Sequence, residues 1–224
     1  MTAALVDRAA ASRLVAALEH AWTAIRRHHP DVPQVVIVVA SGSDPHSRRL
    51  NLGHFAAGRW QLTSPDAPSD RAEVLVSGEG LQRGPVDVLG TLLHEAAHGL
   101  AQARDLQDTS RQGRYHNRRY ATLAGELGLE VASIQPIGWS ATTVPTQTAD
   151  AYAGQVEELA AALVLWRRHE HPIGPSTRSR NLLAATCGCG RRIRVAKTTL
   201  AEAPILCAAC EQPFDAADPD DQDL

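Results

Sequence analysis

The stretch "TLLHEAAHGL", Thr91 to Leu100, sets two histidines four residues apart with a glutamate directly after the first. On an α-helix, residues i and i+4 lie one turn apart on the same side, so His94 and His98 aim two imidazole nitrogens at one point. Glu95 lies about 100° around the helix from His94. That offset lets its carboxylate reach a water beside a bound metal without becoming a ligand, the arrangement that general-base work in a zinc hydrolase needs. The apolar positions Val88, Leu89, Leu92, Leu93, Ala96, Ala97, Leu100 and Ala101 recur at helical spacing from Pro85 to about Arg104, which predicts a helix with its back in a core. Unpaired imidazoles facing such an interior are costly, and this favours a metal site over a chance spelling of the motif.

A catalytic zinc takes three protein ligands and keeps one position open. The compact continuation H-E-x-x-H-x-x-G-x-x-H fails, because position 101 is Ala and position 104 is Arg. A downstream helical glutamate, Glu126 or Glu130, is one candidate for the third ligand. His116 in "GRYHNRRY" is the better one, since it stands at a loop-to-helix junction 18 residues after His98 that can fold back onto the motif helix. Tyr115 and Tyr120 flank it and offer a phenol, but packing is the commoner role of such tyrosines.

Working outward from the motif, Leu14, Leu18, Ala21, Trp22 and Ile25 predict an amphipathic helix over about 3–27, stopped by Pro30 and Pro33. "QVVIVVASG" (34–42) predicts a buried strand. "LNLGHFAAGRWQL" (50–62) predicts a hairpin turning at Ala-Ala-Gly, and "AEVLVSGEG" (72–80) a further strand. Beyond the motif helix a polar loop leads to a helix that Asn117 caps and Gly128 ends. "QPIGWSATTVPTQT" (135–148) reads as irregular, and a helix over about 149–169 follows it.

The four cysteines, Cys187, Cys189, Cys207 and Cys210, fall in one 24-residue window. A secreted disulfide framework is usually spread along a chain, so the clustering favours metal. C-x-C, 17 residues and C-x-x-C resemble two zinc knuckles presenting four thiolates, with "RRIRVAKTTL" and "EAPIL" as short strands of a ribbon. Four cysteines leave no open position, so this zinc is structural, and it supplies stability that so small a core lacks.

Composition limits the rest. The 224 residues suffice for one domain with a real core plus a small module. With 44% apolar residues and a net charge of -3, the chain is that of an ordinary soluble protein without global attraction to nucleic acid or anionic membrane. No apolar run approaches the roughly 20 residues of a membrane span, and Asp7 and Arg8 interrupt the first apolar stretch, so the expected location is the cytoplasm. Local charge differs: residues 167–197 hold eight Lys or Arg against Glu170, and residues 211–224 hold six acidic residues and no basic one. A basic linker running into Arg191, Arg192, Arg194 and Lys197 of the ribbon suits a nucleic-acid contact, with the acidic tail competing for that surface. A solvated linker with a solubilising tail fits the charge equally well.

"EVLVSGEGL" followed by "VLGTLLHEAAHGL", then "GRYHNRRYATLAGELGL", and finally the four-cysteine ribbon resemble the SprT-like (Spartan-type) metallopeptidase family. The resemblance covers roughly 9–129 and 184–215. It implies an α+β fold: a zincin-like domain with an N-terminal helix, a small mostly antiparallel sheet, the HExxH helix and further helices, plus the C-terminal zinc ribbon. It further implies catalytic zinc on His94, His98 and His116, with Glu95 as general base. The family's best-known members act on DNA-bound proteins, which tips the charge reading toward DNA.

The expected organisation is a metallopeptidase domain with helical extension over 1–170, a linker over 171–183, the ribbon over 184–215 and an acidic tail over 216–224. The expected function is zinc-dependent hydrolysis of peptide bonds in a protein or peptide substrate, DNA-associated proteins included, with no membrane partner. Two alternatives stand beside it: a nucleic-acid-binding ribbon protein on a non-catalytic protease-like scaffold, and a zinc hydrolase of another amide. An intact Glu95 argues against the scaffold, which needs no base.

Overall fold

The computed structural model describes residues 9–43, 50–63, 70–170 and 182–216. The start of the first predicted helix, most of the linker and the acidic tail beyond 216 lie outside the described residues. The chain divides into two compact units, Met1–Ile173 and Gly174–Leu224. The architecture is mixed α and β, with six helices and small sheets among the described residues. No helix among them is long and apolar enough to cross a membrane.

In the first unit, α1 (Ala10–His28) buries Leu14, Leu18, Ala21, Trp22 and Ile25, the face that the spacing predicts. Arg26, Arg27 and His28 in its last turn meet the negative end of the helix dipole. The chain turns at Pro30 and is tied back by the Trp22 Nε1–H, which donates to the Pro33 carbonyl at 3.0 Å. β1 (Val35–Ala40), β2 (Gly53–Gln61) and β3 (Asp70–Ser77) form a sheet in the order β1-β3-β2. β3 runs parallel to β1 and antiparallel to β2, so this sheet is evenly mixed where a mostly antiparallel one is expected. The cause is the connection: β2 occupies the far edge and β3 returns between it and β1.

The predicted hairpin at Ala-Ala-Gly is absent. Both of its arms belong to the single strand β2, which follows β3 from Gly53 opposite Val76 to Gln61 opposite Asp70. The ladder shifts register between Ala56 and Trp60, so the extra residues bulge rather than reverse the chain.

A short 3-10 turn, Glu79–Arg83, precedes α2 (Pro85–Ala103), which carries the motif. All eight of its predicted apolar positions are buried. Each fully buried leucine contributes ~1.5–3 kcal/mol, enough for Leu89, Leu92, Leu93 and Leu100 to fix the orientation of the helix against the sheet and its helical neighbours. β4 (Thr109–Ser110) and β5 (Tyr115–His116) form a small hairpin in the predicted polar loop.

Asn117 then caps α3 (Arg118–Glu126), its side-chain oxygen accepting from the N–H groups of Arg119 at 2.8 Å and Tyr120 at 3.2 Å. Gly128 closes that helix with φ 86°, and the Leu129 N–H reaches back to the Ala124 carbonyl. β6 (Glu130–Ile134) and β7 (Gly138–Thr143) pair antiparallel, β7 lying within the 135–148 stretch that reads as irregular, and β7 also meets β5 at Gly138 opposite His116.

The long predicted helix is two short ones, α4 (Thr146–Ala151) and α5 (Ala153–Ala162), broken at Tyr152. Residues 163–169 are not helical. The tertiary anchor is Arg167, whose N–H donates to the Gly78 carbonyl at 2.9 Å and whose Nε lies 3.4 Å from the buried Glu79 carboxylate.

In the second unit, β8 (Leu182–Thr186) pairs with β9 (Arg192–Ala196) and with β10 (Asp215–Ala216), both antiparallel. The strand expected to continue through Leu200 stops at Ala196, and α6 (Lys197–Glu202) takes over. "EAPIL" forms only an isolated bridge, Leu206 with Pro213. Ala185, Val195 and Phe214 form a minute core with Cys187 and Cys207.

Candidate metal centre

His94 and His98 project from adjacent turns of α2, and His116 stands at the end of β5, immediately before the Asn117 cap. One ring nitrogen of each lies within 4.8 Å of the others. The Nε2 atoms of His98 and His116 are 3.2 Å apart, close to the ~3.4 Å edge of a tetrahedron whose metal–nitrogen bonds are ~2.05 Å. The outer nitrogens of two of the rings are held away from that point. His98 Nδ1–H donates to Asp108 at 2.5 Å, and His94 Nδ1 lies 3.3 Å from the Thr142 hydroxyl. Partners of this kind fix the ring orientation and turn the Nε2 lone pair inward.

Burial, with the neighbouring His98 and His116 adding to it, holds the His94 pKa well below the ordinary histidine value. Burial also brings His116 down to about 4, with His98 second. At His98 burial acts in the same direction, but the Asp108 hydrogen bond and the Glu95 charge outweigh it and raise the pKa. His94 and His116 are therefore held neutral, the form in which an imidazole binds a metal.

The place of His116 depends on Asn117. Its Nδ2 donates to the Gln107 carbonyl at 2.8 Å, and its N–H to the Asp108 carbonyl at 2.9 Å. One residue thereby caps α3, places His116 and anchors the segment that presents Asp108 to His98. On the other side, the His116 N–H donates to the Ile137 carbonyl at 3.0 Å. Gly138 faces it across the strand pair with φ 75°, and a Cβ there would stand 2.2 Å from the His116 carbonyl oxygen, so no side chain fits. Tyr120, fully buried, lies beneath the cluster with its ring centroid 4.5–4.9 Å from all three imidazoles. Its hydroxyl has no hydrogen-bond partner among the described residues, and it serves as packing.

Glu95 is buried, and burial pushes its carboxyl pKa up to about 7, against the opposing charge of His98 and a hydrogen bond from the Phe55 N–H. The β2 strand passes so close that a Cβ on Gly53 would meet Glu95 Oε1 at 2.5 Å, so glycine is what lets this edge strand lie along the carboxylate. The imidazoles and Glu95 open on a cleft of about 870 Å³.

Glu126 does not join the cluster. It accepts both ends of the Arg104 guanidinium at 2.7 Å, and Glu130 is exposed on β6.

The four cysteines come together as a second cluster, their sulfurs within 4.8 Å of one another. Sγ separations of 3.2 Å for Cys187 with Cys189 and 3.8 Å for Cys189 with Cys207 exclude a ~2.05 Å disulfide in those pairs; the second matches the ~3.8 Å edge of a tetrahedral zinc–thiolate site and the first is shorter. Each pair sits in a tight turn: the Gly190 N–H donates to the Cys187 carbonyl, and the Cys210 and Glu211 N–H groups to that of Cys207. Backbone N–H groups of Ala209 and Cys210 aimed at its sulfur lower the Cys207 thiol to about 6, despite burial. Both clusters suit a metal ion. Arg191, Arg192, Arg194 and Lys197 are all exposed, and Arg192 and Arg194 alternate along β9 with Ile193 and Val195, which pack inward.

The structure brings together the three imidazoles and, separately, the four thiolates that the sequence singles out, and it buries Glu95 on the same helix as His94 and His98. Sequence reasoning misses Asp108, Thr142 and the Phe55 N–H, which reach the site from a loop, a strand of small polar residues and a backbone, where no spacing rule points to them. Compared with protein-family models, curated proteins and solved structures, the chain has no match.

Proposed function

We propose that the first unit is a zinc-dependent peptidase of zincin-like, SprT-like fold, and that the second is a structural zinc ribbon. The observation that carries the reading is the convergence of three imidazoles, two with their outer nitrogens held, on one point beside the buried Glu95. His94, His98 and His116 would hold the zinc, and the chemistry it would supply there is Lewis acidity toward a substrate carbonyl and an attacking water.

The chain's own residues do the rest. Glu95 takes the proton of that water and passes it to the leaving amine, and the Phe55 N–H keeps its carboxylate in place. Asp108 and Thr142 keep two of the rings in orientation. The cleft beside them accommodates an extended polypeptide. The four cysteines fit a second zinc, and the exposed Arg191, Arg192, Arg194 and Lys197 support DNA as the partner of the ribbon.

Glu95→Gln tests the reading. The variant should hold zinc as the parent does, while hydrolysis of a loosely folded protein falls by roughly 100- to 10,000-fold. Equal rates would remove Glu95 from the chemistry, and a parent inactive with and without single-stranded DNA would sink the peptidase reading. Cleavage indifferent to DNA would leave the peptidase standing and remove DNA as its partner.

A further inference from the structure

The floor of the cleft is one face of α2, from Asp87 through Thr91, His94 and His98 to Gln102. At its N-terminal end the wall is Arg83, an exposed side chain and the only arginine or lysine among the described lining residues. Its Nη2 is pinned twice, donating to the Asp87 carbonyl at 2.7 Å and to the Thr91 hydroxyl at 3.2 Å. Thr91 donates in turn to that same carbonyl at 3.1 Å. These acceptors are neutral, and no carboxylate among the described residues lies within ion-pair distance of the guanidinium. Nε–H and Nη1 keep their hydrogens without a partner there.

The carboxylates of the cleft are committed elsewhere or stand off. Glu95 faces β2, Asp108 holds His98, and Asp87 binds Arg83 through its backbone alone. The cleft therefore holds a positioned cation without a counter-ion, whose charged hydrogen bonds are about twice as strong as neutral ones.

From this geometry we infer that Arg83 is a specificity residue that receives a substrate carboxylate. The inference rests on the peptidase reading for its substrate class. Nη2 lies beside the helix between positions 87 and 91, and the imidazoles centre near position 96, which at 1.5 Å per residue is ~10 Å along the axis. An extended peptide covers that distance in about two or three residues at ~3.3 Å each. The carboxylate thus belongs to an aspartate or glutamate side chain two or three residues from the scissile bond, or to a chain terminus at that distance.

The test uses zinc-loaded full-length Glu95→Gln protein and fluorescent Ala/Ser peptides carrying one Glu, or one Gln, at each position in turn, with free or amidated C-termini. Binding is read by anisotropy, and zinc content and circular dichroism are checked for every variant. Glu at one position should tighten binding about tenfold over Gln, the scale of one charge-assisted hydrogen bond. Adding Arg83→Met, or Arg83→Gln should the first fold poorly, should erase the difference, and Asp87→Asn should enlarge it. A gain seen only with the free C-terminus identifies the terminal carboxylate as the source.

With the active parent, Arg83→Met should raise KM for the Glu peptide while leaving kcat little changed. Binding that ignores charge, no binding at all, or a preference that survives both Arg83 variants overturns the inference. Cleavage without a carboxylate preference sinks it and spares the peptidase. A preference without cleavage does the reverse.

Discussion

At the scale of single residues, two carboxylates of the interior have opposite tasks. Asp108 accepts the His98 Nδ1–H, and where a histidine binds a metal, loss of such an outer partner costs about 10- to 100-fold in affinity. Asp108→Asn should show that loss in a chelator competition while the far-ultraviolet spectrum stays that of the parent. Unchanged affinity would remove Asp108 from the centre. Glu79, fully buried, accepts from the hydroxyls of Ser41, Ser43 and Ser77 and from the Gly42 N–H, and Arg167 is the charged group that faces it. Burial opposes its ionisation, but the Gly42 N–H and the serine hydroxyls prevail and bring its pKa to about 2 from 4.5. A pKa depressed by folding contributes stability that is complete above 4.5 and is lost as pH falls toward 2. Glu79→Gln should cost about 2 kcal/mol near neutrality, where it leaves buried donors and Arg167 poorly paired. It should also flatten the acid limb of a melting-temperature profile, and a variant that melts in parallel with the parent from pH 5 to pH 2 would contradict this.

At the scale of elements, α2 was the most legible part of the fold, because its apolar period, its Pro85 start and its motif all agree and every predicted core position is buried. Leu93→Ala should destabilise the first unit by about 3 kcal/mol in urea, as a cavity in a closed core does. The Asn117 cap was equally readable, but its second task was not. Asn117→Ala should cost about 1 kcal/mol and weaken metal binding as well, since His116 and Asp108 are both tied to it. The β6–β7 hairpin escaped detection because "GWSATT" is half-buried along most of its length and shows no clear alternation of apolar and polar residues. The break at Tyr152, buried against His28, and the non-helical 163–169, tied to Gly78 and Glu79, involve partners distant in sequence, which a local pattern does not contain.

At the scale of the whole molecule, the two compact units predict separable behaviour. Purified chain should carry two zinc ions by elemental analysis. Cys207→Ser should melt the second unit, whose buried core is only five residues, two of them cysteines, and leave the first with one zinc and its helices. Loss of both ions together would show that the units do not fold independently. The Asn117 clasp has one more consequence, and it concerns descent. Because that residue closes the β4–β5 excursion at its base, residues 111–114 form an exposed tip with no part in holding the three rings. Lengthening a loop whose ends are already joined costs little, about 0.6 kcal/mol for each doubling. The distance along the chain from His98 to His116 is therefore free to drift between generations, and new segments overhanging the cleft can be gained or discarded there while the three imidazoles stay where they are.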